Sequence, residues 1–339
     1  HDGNTATLSD EGFRTSSTFT GTLSNSIAED NTSAGILVAG GTVSNNTVTH
    51  SIPSNAADGI RVEIDRDKPS WNGSMSPSVV SGNTVSGHAV GIAVRHGWAI
   101  REFFYLGLND IEGGDGASLI VGNLVTDSGV TGLLVDGLDY DIEIQHNTIV
   151  SSGADAVQVV EDNAGVFLEN NIFVSDGAGF AALRVEPSAQ RGFSADWNVY
   201  HATGGADHVV WQASFNDQAL WWLETGFDVH SQFVDPQFAD AGNDDYSLLV
   251  ASAARGTADP SSSRVNVGAV EDALPLDTYR IIGPFTGGKF IGGETVGLTW
   301  QTRGATSGTV TIEYSVDGGS NWIVQIGRAS CRERVSPYV

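Results

Sequence analysis

Two short motifs alternate along most of this chain, and their joint period restricts what it can fold into. Asparagine followed by two β-prone residues occurs at Asn25-Ser26-Ile27, Asn46-Thr47-Val48, Asn83-Thr84-Val85, Asn123-Leu124-Val125, Asn147-Thr148-Ile149, Asn171-Ile172-Phe173 and Asn198-Val199-Tyr200, at intervals of 21, 37, 40, 24, 24 and 27 residues. A small residue followed by apolar, any, apolar comes after each of the first six: Gly35–Val38, Gly59–Val62, Gly91–Val94, Gly132–Val135, Ala156–Val159 and Ala182–Val185. A unit near 24 residues holds three short strands and their turns, which is one coil of a parallel β-helix and not a propeller blade or a helical repeat. Period-2 alternation sends the two apolar residues of the second motif inward and the residue between them outward. Equivalent residues of successive coils lie about 4.8 Å apart, so the motif asparagines are expected to stack as an amide ladder.

Composition fits this reading and removes several functions. The chain has 339 residues, 42 of them glycine, and a formal charge of −25 from 41 acidic and 16 basic residues. Such a charge excludes bulk binding to nucleic acid and suits either solubility in a salty medium or Ca²⁺ held at carboxylate-rich turns. No apolar run is long enough to span a bilayer. The only cysteine, Cys331, lies in a tail, residues 327–339, that reads as the translation of a sequencing adapter, so no disulfide framework and no thiolate metal site are expected. The chain starts at His1 without a methionine, so both ends read as truncated and export has to be inferred from the rest.

Beyond the coils, Asp217–Gly226 with Trp221-Trp222-Leu223 reads as a short helix. It is followed by Gly226–Ser231, Val234–Phe238, Asp244–Leu248 and Val267–Glu271. This ordered series resembles the C-terminal portion of secreted bacterial right-handed parallel β-helix proteins of the pectate-lyase-like superfamily. It departs mildly at Ala251-Ser252-Ala253, where that pattern usually has Ser-Pro. The resemblance covers roughly residues 20–272 and implies an all-β solenoid, a secreted or cell-surface location and a polysaccharide partner. A β-helix over 1–272 with a cap region at 217–271 is therefore expected, and a monomer. From residue 273 to 326, alternating strands such as Val310–Ser315 around Asp317-Gly318-Gly319 resemble the start of an immunoglobulin-like sandwich.

Chemistry is expected where coils are overlong. The intervals 46–83 and 83–123 exceed a 24-residue coil, and both excesses fall after the second motif, on one side of the stack. There Arg61, Arg66, Lys68, Arg95 and Arg101 form a locally cationic stretch, with Glu63, Asp65 and Asp67 as its acids. Trp71, Trp98, Phe103, Phe104 and Tyr105 lie among them. Aromatic faces beside guanidinium groups suit anionic sugars, so Arg61, Arg66, Trp71, Trp98, Arg101 and Tyr105 are candidate substrate contacts. Aligning coils by the second motif puts Glu63, Arg95 and Asp136 in one outward column, with Arg61, Ala93, Leu134, Gln158 and Arg184 beside it.

In a β-elimination on a uronate, Arg95, His96, Lys68 or Tyr105 would remove the proton, while Asp65, Asp139 and Asp141, with Glu63 and Asp136, would hold Ca²⁺. Lyases of this fold resemble that arrangement, although no single lyase motif matches residue by residue. An inverting hydrolase would instead use Glu63 and Asp136, about 9.6 Å apart along two coils, but Arg95 between them argues against it. A solvated charge ladder, or a noncatalytic adhesin, needs neither chemistry. His88, His201, His208 and His230 are isolated in sequence and read as surface or packed residues, and Asp235, Pro236, Asp244, Asp245 and Tyr246 as cap and turn residues.

Overall fold

A computed structural model of the chain describes residues 2–16, 19–51, 57–64, 78–96, 118–136, 140–161 and 164–271, and four short strands beyond. Residues 1–271 and 272–339 are two compact units. The first is a parallel β-helix. Three sheets run along it, of nine, nine and seven strands, each pairing a strand with its equivalent one coil later. The coil from Leu124 shows the plan: Leu124–Thr126 in the first sheet, Thr131–Asp136 in the second and Tyr140–Gln145 in the third. All pairings are parallel until Ser214–Phe215, which turns back antiparallel on Asp207–Val210.

Inward side chains stack in files of like residues. Val48, Val85, Val125, Ile149, Phe173 and Tyr200 line the first sheet, and Ile36, Ile60, Ile92, Leu133, Val157 and Leu183 the second, all fully buried. Each such side chain contributes about 1.5–3 kcal/mol of hydrophobic stabilisation, which is the physical basis of the repeat. The small residue of the second motif is explained by a close approach. A Cβ at Gly59 would lie 2.5 Å from Gly91 O, one at Gly91 2.6 Å from Gly132 O, and one at Gly132 2.7 Å from Ala156 O.

The amide ladder forms from Asn46 to Asn198. Asn123 is typical: its Oδ1 accepts from the main-chain N and the Nδ2 of Asn83, both at 3.0 Å, and its own Nδ2 donates to Asn147 Oδ1 at 2.9 Å. The ladder differs from expectation at its first rung. Ser26 N, not Asn25 N, donates to Asn46 Oδ1 at 2.9 Å, and Asn25 is an exposed turn residue with φ 50°. The register pairs Ile27 with Thr47, so Asn25 aligns with Asn45 and the letters Asn-Ser-Ile are one residue out of phase.

At the other end a helix, Gln218–Thr225, carries the fully buried Trp221 over the last coil. Asp217 caps its first turn through Ala219 N and Leu220 N, and Gly226, with φ 76°, ends it. The ladder ends on Asp228, buried and hydrogen-bonded to Trp221 Nε1 at 2.8 Å, Tyr200 OH at 3.0 Å and Asn198 Nδ2 at 3.3 Å. The chain then returns along the outside as a strap, residues 252–271. Outward first-sheet residues record its course: Thr47 and Thr84 are exposed, whereas Thr148, Ile172 and Val199 are buried, the last two packed with Ala254, Ala258 and Val267.

In the second unit, Thr278–Gly283 pairs antiparallel with Thr299–Arg303, and Glu313–Tyr314 with Ile323–Val324.

Candidate functional site

The charged face expected from the second motif lies on the outside of the second sheet, where Asp58–Ile64, Val90–His96 and Thr131–Asp136 run side by side. Register places Arg95 between Glu63 and Asp136, and Ala93 between Arg61 and Leu134, with Gln158 and Arg184 continuing the second column. Both columns fall where the motif alignment puts them. Glu63, Arg61, Arg95 and Asp136 are all partly exposed, while Ala93 between them is buried.

The bonding within the columns is organised by a residue that the sequence reading passed over. Asp58, with a side chain only 4% exposed, accepts from Arg61 Nε at 2.6 Å. It also accepts from Arg95 Nη2 at 3.3 Å, and Arg95 Nη1 donates to Asp136 at 3.3 Å. Arg95 thus bridges Asp58 and Asp136, whereas Glu63 stands 3.8 Å from Arg61 Nη1. A buried carboxylate needs its charge and lone pairs met inside the protein, whereas the Glu63 side chain is a third exposed and open to solvent. The result is two guanidinium groups on neighbouring coils held by one carboxylate.

A related arrangement recurs further along the same face. Asp155, equally buried, accepts from Gln158 Nε2 in its own strand and from Arg184 of the next coil, through Nε at 2.7 Å and Nη2 at 3.1 Å. The shared signal is an Asp just before the small residue of the second motif, in Asp58-Gly59-Ile60-Arg61 and Asp155-Ala156-Val157-Gln158. Nearer the first coil, Arg14 grips Glu11 with two bonds of 2.6 and 2.7 Å, and this contact holds the Glu11 carboxyl below its ordinary value. Acid and base are therefore nearly matched along this face of a strongly acidic protein.

Segments 65–77 and 97–117 leave from the ends of Asp58–Ile64 and Val90–His96 and rejoin at Ser78–Ser81 and Ser118–Val121. Ile64 and His96, the last described residues before these segments, are register partners on consecutive coils. Asp65, Arg66, Lys68, Trp71, Trp98, Arg101, Tyr105 and Asp139 lie outside the described residues. His96 ends its strand and Asp141 lies in Tyr140–Gln145, but neither side chain is among those described. Among the described residues, no three His, Cys, Asp or Glu side chains converge as a metal site requires.

Glu63 and Asp136 stand two coils apart with Arg95 between them in register, and Arg95 Nη1 donates to Asp136. No helix is long and apolar enough to cross a membrane among the described residues. Comparison with protein-family models, curated proteins and solved structures finds no match to this chain.

Proposed function

We propose that this is a secreted or cell-surface carbohydrate-active protein that binds an anionic polysaccharide at the corner of the second sheet and cleaves it by β-elimination. One observation carries the reading: Asp58 holds Arg61 and Arg95 side by side on neighbouring coils, both partly exposed on the outside of the second sheet. Paired guanidinium groups suit planar carboxylates and sulfates, and their fixed positions suit a charge that develops during reaction.

In such an elimination a base takes the proton beside the uronate carboxylate, the adjoining C–O bond breaks, and a proton is returned to the leaving oxygen. Arg95, whose donors meet Asp58 and Asp136, fits neutralisation of the carboxylate rather than proton removal. That leaves Lys68, His96 or Tyr105 as the base. Ca²⁺ at Asp65, Asp139 and Asp141 belongs to the same proposal as a second neutralising charge.

The intact chain, supplied with Ca²⁺ and a panel of uronate-containing and sulfated polysaccharides, should generate the ultraviolet absorbance of an unsaturated uronate. Arg95→Ala should lower turnover at least about 100-fold, the scale of losing one transition-state donor, with the fold intact by circular dichroism. Unchanged turnover in Arg95→Ala, Lys68→Ala and His96→Ala would refute the site. A noncatalytic glycan-binding surface is favoured by one specific feature: both arginines are already committed to carboxylates. Retardation in a polysaccharide gel without unsaturated product would establish that reading instead.

A further inference from the structure

Among the described residues, His88, Ser128 and Ser151 are buried polar side chains whose polar atoms have no hydrogen-bond partner in the protein, and all three lie where the first sheet turns into the second. They are 1%, 2% and 1% exposed. His88 is unpartnered at both ring nitrogens, and each serine at its hydroxyl. Ser86 O is close enough to influence the His88 proton, but it accepts from His50 N at 3.0 Å and makes no bond to the ring.

These three groups stand in equivalent places on successive coils. A Cβ at Gly59 would lie 3.3 Å from His88 Nδ1, one at Gly91 3.0 Å from Ser128 Oγ, and one at Gly132 3.0 Å from Ser151 Oγ. Strand register sets Gly59 beside Gly91 and Gly91 beside Gly132, so the polar atoms form a file along the axis of the stack. The next coil shows a hydroxyl of this file satisfied by the protein itself. Ser175, the register partner of Ser151, donates to Ala154 O at 2.8 Å.

Spacing determines what the other members can bond to. Equivalent atoms of successive coils are about 4.8 Å apart, whereas a direct bond between hydroxyls needs about 2.8 Å. One water bonded to both at that length, with its near-tetrahedral angle, spans about 4.6 Å. We propose that the file binds water: one molecule bridges His88 to Ser128 and a second bridges Ser128 to Ser151, inside the coils. Water suits these groups because hydroxyl and neutral imidazole each donate and accept. A cation does not, because it gathers several oxygens around one point and each coil here supplies one neutral group.

Oxygen-17 magnetic relaxation dispersion of the full-length chain counts long-lived internal waters, and because it reads the water oxygen, exchange of serine hydroxyl protons does not contribute. Ser128→Ala, which removes the group shared by both bridges, should lose the signal of about two waters, and Ser151→Ala that of about one. The urea midpoint adds a test of sign. A bridged hydroxyl stabilises, so both variants should unfold at lower urea; a hydroxyl buried without any partner destabilises, so its removal would raise the midpoint. No long-lived water in the unaltered chain, an undiminished count in Ser128→Ala, or a raised midpoint in either variant would overturn the proposal. The polysaccharide reading plays no part in it.

Discussion

Asn123 and Asn25 begin the same three-letter motif but have unlike surroundings. Removing the Asn123 side chain takes the side-chain partner from Asn83 N and Val80 O in the interior, and leaves Asn83 Nδ2 and Asn147 Oδ1 with one bond each, to Val43 O and from Asn123 N. At about 1–3 kcal/mol for each buried group left unmet, and with partial relaxation, Asn123→Ala should lose about 3 kcal/mol or more. Asn25 is exposed, bonded to Asp2 Oδ1 at 2.7 Å, and its substitution chiefly forfeits the tolerance of asparagine for positive φ, worth about 1 kcal/mol. Urea midpoints of the two variants measure the difference, and equal losses would contradict the assignment of Ser26 as the first rung. At this scale the sequence is legible where a repeat is reinforced by its neighbours, and misleading where letters alone define it. Asn25-Ser26-Ile27 matches the motif, but the strand register decides which residue enters the ladder. Asp58 escaped notice for a related reason: an Asp before Gly reads as a turn, and nothing local shows that Arg95, 37 residues on, will reach it.

The terminal helix and the ladder are one construction. Trp221 covers the last coil while its Nε1 donates to Asp228, and Asp228 also receives Tyr200 OH, Asn198 Nδ2 and the Ser231 hydroxyl. Burial pushes the Asp228 carboxyl up, and these four donors oppose that shift. Asp228→Asn replaces one acceptor oxygen with an amide that faces donors. It should destabilise the end of the stack by about 2–3 kcal/mol, seen as faster amide exchange at Gln232 and Val234 with the central coils unchanged. Equal acceleration in Val125 and Ile149 would show instead that the cap and the coils open as one unit. The helix itself was readable from Asp217 to Gly226, because its N-cap, its apolar run and its terminal glycine agree. The strap was not. It has no repeat and little apolar periodicity, and its partners, His146 and Asn170, lie about 90 to 120 residues earlier.

Within the first unit, pH acts on His88 and Glu169, two distant groups, in opposite directions. His88, buried in the coil that begins at Thr84, is pushed down from 6.5 to about 4, chiefly by burial and then by the charge of His50, whose ring stands edge-on at 5.7 Å. A histidine depressed in the folded state stabilises above its unfolded value, and that stability falls as pH drops from 6.5 towards 4, by about 3 kcal/mol in total. Glu169, two coils further on, is pushed up from 4.5 to about 7, chiefly by burial, and contributes with the opposite sign over nearly the same interval. Because it is only half buried, its share is smaller, about 1–2 kcal/mol. Between about 4.5 and 6.5 the contributions of His88 and Glu169 to the midpoint of global unfolding therefore largely offset each other. His88→Gln should expose a stability that falls as pH rises, and Glu169→Gln one that rises more steeply than in the unaltered chain. In a solenoid each coil contacts only its neighbours, so the two groups, with the coil from Leu124 between them, should act additively. Denaturation midpoints of the two single variants and the double variant at both ends of the interval provide the check. A double variant whose slope is not the sum of the single changes would mean that the coil between them transmits the charge state of one site to the other.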